Sequence, residues 1–478
     1  MWKIVGADRG TDHVAGRTKA EALTWVRMPN MRITGQRAAR GGWLRSTALL
    51  VATVALLSTI AGAHPNHQSI NDLAIVPFPL QVQAMRGLVT LTPSSRIVAT
   101  DPTLLPVAEL VRQELARLTP LELAVSQERA RPGDIVLRLD ERFTTPESYS
   151  IVAADRVTVV AGNVRAVTVA TATFLQALGV QDGVTAMLKM RISDEPTYPF
   201  RGACLRVERA DEATFTQLRE VIELCRWYRM NVLQVELGEA VLNGVCTTEE
   251  AQATWRKLEA FAALRAVELV PAVSVATVDD AGGPDAVIEA LAAVFSEAKH
   301  IGVTGSEDQV DAAAVARLVA ACRAKGRTVL LDEGVGIEPG AVESTDVVIV
   351  AQTTADRWLD AGYRVVNASV PPLRLMGEAE AVAHVIHTDW EPWGWMTQQL
   401  TDARPRLVAV RERTGIIGAQ VELVGPASDP TAHLGVAAVA ERLWNPMLRR
   451  DFADMCVRFE HTGYGMKLIW GHQKDVDR

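Results

Sequence analysis

From about residue 199 onward the chain alternates short apolar runs with amphipathic stretches, and this alternation constrains the fold more than any other feature. The strand-like runs are GACLRV, NVLQVEL, VELVPAVSV, AKHIGVTG, TVLLDE, DVVIVAQ, RVVNASV and IIGAQVELV. Between most of them lie helical stretches: FTQLREVIELCRWYRM, WRKLEAFAALRA, VIEALAAVF, AAAVARLVAACRAKG and GVAAVAERLW. Eight apolar strands with interposed helices predict an α/β fold, a (β/α)8 TIM barrel, whose typical size is about 250 residues. An open doubly wound sheet is the alternative architecture. No G-x-G-x-x-G follows the first strand, so a dinucleotide site has no support.

The preceding segment has a different rhythm. LVTLTPSSRIVAT alternates as strands do, and VAELVRQELARL places apolar residues at helical spacing. DIVLRLD, YSIVAADRVTVVAG and the helical VRAVTVATATFLQALG follow. Strand, helix, strands, helix predicts a small α+β layer, one sheet with its helices on one face. The expected organisation is an N-terminal extension over 1–63, an α+β domain over 74–197 and the barrel over 198–478.

Composition narrows the function. A chain of 478 residues exceeds one ordinary domain, and 48% hydrophobic with 22% charged residues excludes wholesale disorder. Five cysteines without a CxxC pair or a Cys/His cluster give no reason to expect a metal, and no cofactor motif is present. A net charge of −8 argues against a nucleic-acid partner. Cys204, Cys225 and Cys322 sit in apolar surroundings and read as buried thiols rather than nucleophiles. The sequon Asn367-Ala368-Ser369 is expected by chance in a chain of this length.

The charge is uneven, with nine Lys/Arg against three Asp/Glu in residues 1–63. There Arg37, Arg40 and Arg45 precede an uncharged run from Ser46 to Ala63 that ends Ala61-Gly62-Ala63. A basic region, a short apolar core and a small-x-small ending predict a secretory signal cleaved after Ala63 and a secreted or lumenal protein. An uncleaved 46–63 segment would instead be a membrane anchor, near the lower length limit for spanning. The start is Met1 or Met31, since MRITGQRAARGGWLRS is a normal n-region by itself.

Several pieces together resemble family 20 glycoside hydrolases, the β-N-acetylhexosaminidases. IVPFPLQV, PESYSIVAADRVTVVAG and ATATFLQAL are similar to parts of the family's non-catalytic N-terminal domain. ISDEPTYPFRG is similar to its junction with the barrel, YRMNVLQVEL to strand 2, HIG at His300 to strand 4 and AAVAERLWNP to the final helix. The resemblance implies a glycan partner ending in N-acetylhexosamine, hydrolysed by substrate assistance. In that chemistry the acetamido oxygen attacks the anomeric carbon, a Glu protonates the leaving oxygen, and the preceding Asp orients the acetamido group.

At those positions the sequence departs from the family pattern H-x-G-[GA]-D-E. Without a gap, Thr304 and Gly305 take the Asp and Glu places; with a two-residue insertion, Ser306 takes the Asp place and Glu307 is the acid/base. Glu307 also fits a solvated carboxylate in the first turn of a helix. The resemblance implies Arg209 as the substrate-holding Arg, while the family's neighbouring Asp is Arg206 here. Strand 2 offers Glu236 and Glu239, and strand 5 offers Asp332 and Glu333. Strand 3 has Ala272, Ser274 and Val278 where the family has Glu, Asp and His, and strand 8 keeps Gly418 and Gln420. Trp393, with Trp390 and Trp395, either stacks on a sugar face or packs between barrel helices. Two functions therefore stand open: a divergent hydrolase, and a catalytically silent relative that binds glycans or a protein partner.

Overall fold

The computed structural model describes residues 73–305, 312–353, 355–370, 372–397, 406–410, 413–448 and 451–476. The 1–63 extension with its apolar run lies outside the described residues, as do Ser306 and Glu307. Among the described residues no helix is long and apolar enough to cross a membrane.

The first sheet contains β1 (Gln81–Leu91), β2 (Arg96–Ala99), β3 (Ala124–Ser126), β4 (Ile135–Leu139), β5 (Tyr149–Ala153), β6 (Val157–Ala161), β7 (Leu178–Gln181) and β8 (Val184–Asp194). Its order is β1-β8-β5-β6-β4-β2-β3, with β7 beside β8. The helices Leu105–Leu118 and Val164–Gln176 pack on it and on each other. The first buries Val107, Ala108, Val111 and Leu115 at helical spacing. The second is capped by Asn163, whose side chain accepts from the Ala166 N–H at 2.8 Å.

The barrel strands are β9 (Phe200–Val207), β10 (Val232–Leu237), β11 (Glu268–Ser274), β12 (His300–Thr304), β13 (Thr328–Asp332), β14 (Val347–Ala351), β15 (Arg364–Asn367) and β19 (Ile416–Leu423). Each pairs in parallel with the next. The pairing of β15 with β19 and of β19 with β9 closes the ring. That closure decides for the barrel over the open sheet. A two-residue strand, β16 (Arg374–Leu375), joins the β19 edge, and β17 (Gly394–Thr397) with β18 (Arg406–Ala409) forms a separate hairpin.

The barrel strands are rich in apolar residues on both faces because each is covered twice, by helices outside and by the lumen inside, with buried polar side chains such as Gln234 and Gln420 as exceptions. Val232, Val270, Leu330, Val348 and Val366 form a lumenal core distinct from the large outer one. The glycine of the HIG motif belongs to this lumen: a Cβ at Gly302 would meet that of Ala272 at 2.4 Å. His300 stands at the opposite end of its strand from the functional mouth, 2.8 Å from Glu268.

The motifs that carry the family resemblance converge on the seam between layer and barrel. Asp194 of the junction accepts from Arg229 at 3.1 Å, the Leu80 N–H at 2.9 Å and the Trp444 indole at 2.9 Å, and from the Tyr149 hydroxyl. Arg201 donates to Glu147. Gln176 accepts from the Val76 N–H at 2.9 Å and donates to the Trp227 carbonyl at 2.6 Å. Arg226 forks onto Glu114 with two bonds of 2.6 Å. These partners lie far apart in sequence and, apart from the exposed Leu80, are fully or nearly buried. Buried charges are tolerated only when paired in this way. The motif residues are therefore structural.

Candidate active site

Function on a barrel of this kind sits at the C-terminal ends of the strands. At that mouth Arg206 and Glu236 face each other in register on β9 and β10. Their ion pair is 2.9 Å long, and Arg206 also holds Glu208. Thr304 closes β12 and donates to Glu236 across 3.2 Å. Arg374 pairs with Glu422 at 3.4 Å on the far side. Asp332, the last residue of β13, accepts from the Gly334 N–H at 2.7 Å and from the Gln352 amide at 3.0 Å.

Burial pushes the Asp332 carboxyl up to about 6. The hydrogen bonds from Gly334 and Gln352 oppose that shift, and the nearby Glu333 and Glu236 charges add to it. Beneath these groups lies a cavity of about 40 Å³ lined by Cys204, Asp332, Gln352, Leu373, Gln420 and Glu422. That is room for one to a few waters, each of which needs about 10–15 Å³ of such space. It forms the floor of a site rather than a sugar-sized pocket, which takes about 300–1,000 Å³. A larger cleft of about 390 Å³ lies between the layer's helices and the N-terminal ends of β11 and β12. It sits at the wrong end of the strands for barrel chemistry.

The residues singled out from the sequence separate into distinct groups. Ser306 and Glu307 lie outside the described residues. Glu236 stands in the mouth. Glu239 is exposed in the first turn of the helix Glu239–Thr247. Glu333 turns away: it is buried and accepts from the Gln352 and Thr353 N–H groups at 2.9 and 2.8 Å, with Arg357 at 3.5 Å. Its carboxylate is engaged by the chain rather than offered to a ligand.

Arg209 also differs from expectation. Its side chain is 80% exposed and reaches Asp211 at 3.4 Å, not Glu236 or Glu239. The place facing Glu236 is held by Arg206, three residues earlier and in register. Exposed pairs contribute about 0–1 kcal/mol. Arg209→Ala will therefore leave the melting temperature and sugar affinity nearly unchanged. Calorimetry with N-acetylglucosamine oligomers and a melting curve check this, and a tenfold loss of affinity would contradict it.

The tryptophans divide as well. Trp390 and Trp395 are buried, and the Trp395 indole donates to the Ala351 carbonyl at 3.0 Å. Asn367 spends its amide hydrogens on the carbonyls of Pro392 and Gly394, at 3.2 and 2.8 Å. The segment is thus pinned over the ends of β14 and β15, and the sequon asparagine is buried. Trp393 alone of the three is half-buried, with the Arg413 guanidinium 4.7 Å from its ring centroid.

Sequence reasoning passed over Gln352, Arg374 and Glu422. Glu422 follows Gln420 by two residues, and period 2 places both on one face of the strand. That spacing was the available signal.

The sequence model of glycosyl hydrolase family 20, domain 2, matches residues 72–195. A β-N-acetylhexosaminidase of Cellulomonas fimi is 31% identical over 178 residues, 35% of this chain and 35% of that protein. Over that domain the chain is similar to glycoside hydrolase family 20. Its match therefore spans about a third of that curated relative. Solved structures of the family share the fold. The exo-β-N-acetylglucosaminidase of Vibrio harveyi, in complex with N-acetylglucosamine, superposes with a TM-score of 0.65 at 16% identity, covering 83% of this chain and 77% of that one. The family 20 β-N-acetylhexosaminidase of Streptomyces coelicolor gives 0.63 at 18% identity, covering 82% and 96%.

Proposed function

We propose that this chain is a member of glycoside hydrolase family 20, an exported β-N-acetylhexosaminidase-like hydrolase that acts on terminal N-acetylhexosamine residues of a glycan through an altered set of mouth residues. The observation that carries this reading is the polar mouth itself: Arg206, Glu236, Thr304, Asp332 and Gln352 converge at the strand ends above a closed apolar lumen. A barrel retained only as a scaffold has no need of carboxylates there. The names of the relatives support the same substrate class. The test is turnover of a chromogenic β-N-acetylglucosaminide by the purified protein, beside Glu307→Gln. Release of the chromophore supports a hydrolase.

A second reading is favoured by one observation. Thr304 ends β12 and Gly305 follows it where the family carries Asp and Glu, and glycine has no side chain to donate a proton. A silent barrel of this kind would bind glycans or a protein partner. It would show saturable binding of N-acetylglucosamine oligomers in calorimetry with no turnover.

Export is supported by the basic region and apolar run that end at Ala63. N-terminal sequencing of the secreted protein will give His64 as the first residue. An intact N-terminus in the membrane fraction would instead make the 46–63 segment an anchor.

A further inference from the structure

Five carboxylates stand at the strand ends, and four are matched to a cation, Glu208 sharing Arg206 with Glu236. Glu236 has Arg206, Glu422 has Arg374, and Glu333 has Arg357 together with two backbone N–H groups. Among the contacts of the described residues Asp332 has only neutral donors, the Gly334 N–H and the Gln352 amide. A carboxylate beside a guanidinium gives up its proton readily, whereas one among neutral donors in a half-buried site keeps it.

The floor cavity adds a second, independent observation. Gln420 is 3% exposed, lines that cavity with Asp332 and is hydrogen-bonded to the Cys204 thiol, yet among the described residues its side-chain oxygen has no hydrogen-bond donor. A buried acceptor without a donor calls for a protonated neighbour or a bridging water. The cavity has room for such a water, and each Asp332 oxygen keeps a second lone pair for a proton.

We infer that Asp332, rather than a residue of β12, is the proton donor of this barrel, an inference that rests on the hydrolase reading above. The Asp332 hydroxyl gives its proton to the glycosidic oxygen. The bond from that oxygen to the anomeric carbon breaks, and its electron pair leaves with the alcohol. The substrate's acetamido oxygen forms a bond to the anomeric carbon in its place. Water then attacks that carbon, the acetamido bond breaks, and the water's proton returns to the Asp332 carboxylate. Gln352 positions the carboxyl throughout. The carboxyl near 6 sets the pH profile, since an acid must be protonated to act.

The experiment compares the protein with Asp332→Asn and Glu307→Gln on two substrates. One is a dinitrophenyl β-N-acetylglucosaminide, whose leaving group needs little protonation; the other is a chitin disaccharide, whose leaving group needs full protonation. The protein's kcat/KM on the disaccharide should fall about tenfold per pH unit above pH 6. Asp332→Asn should lower that value by about 10²–10⁴ and remove the pH limb, while largely sparing the dinitrophenyl substrate. A merely structural role would lower both substrates together, and that result overturns the inference. Selective loss in Glu307→Gln instead of Asp332→Asn also overturns it and leaves the hydrolase reading standing. Absence of turnover on both substrates overturns the inference and the hydrolase reading together.

Discussion

Arg229→Ala will cost about 3–5 kcal/mol of stability, the range for breaking a buried ion pair by removing one partner. Arg229 and Asp194 are both wholly buried. The guanidinium also donates to the Tyr149 and Thr173 hydroxyls at 2.8 Å each and to the Pro77 carbonyl, and it lies 4.3 Å from the Trp444 ring centroid. Its loss leaves Asp194 charged in the seam, or forces it to bind a proton, toward which burial already pushes it. Urea denaturation with tryptophan fluorescence reads the change. Arg229→Lys keeps the charge but not the planar fork and should recover only part of it. A loss below about 1 kcal/mol would show that the seam does not tie the layer to the barrel.

A second large effect is a pH dependence. Glu441 on the helix Pro430–Trp444 accepts from Arg458 at 2.5 and 2.8 Å and from the Phe78 N–H at 3.1 Å. Burial pushes its carboxyl up, but the hydrogen bonds from Arg458 and His387 outweigh burial and hold it at about 2. A carboxyl held below its unfolded value stabilises the fold above that value and loses the contribution as pH falls through the folded one. From about 4.5 down to about 2 the protein should therefore lose about 3 kcal/mol through this group alone. Glu441→Gln should be much less stable than the parent at pH 7 and closer to it by about 2 kcal/mol at pH 2.5. An equal gap at both pH values would contradict the assignment.

Much of the fold was legible because barrel strands are buried on both sides. Runs such as DVVIVAQ and TVLLDE carry no polar alternation, and helices with apolar stripes separate most of them. The short β16 and the β17–β18 hairpin left no comparable pattern, since two to four residues are too few to show a period. The site was harder to read for a different reason. Whether Arg206 or Arg209 faces Glu236 depends on the register of β9 against β10, which spacing along one strand does not reveal. Asp332 and Glu333 are adjacent in sequence yet differ in role. The strand ends between them, so one carboxyl faces the mouth and the other turns onto the backbone of residues 352 and 353. The Trp cluster carried both of its readings at once, because stacking and packing use the same residue type.

The most direct measurement of the hydrolase reading is product analysis by mass spectrometry, after incubating the purified protein with a defined chitin oligomer at pH 5. Single N-acetylglucosamine units should be released stepwise from the non-reducing end, more slowly above pH 6. Oligomer recovered intact, from protein that binds it saturably, would contradict the account and establish a silent barrel.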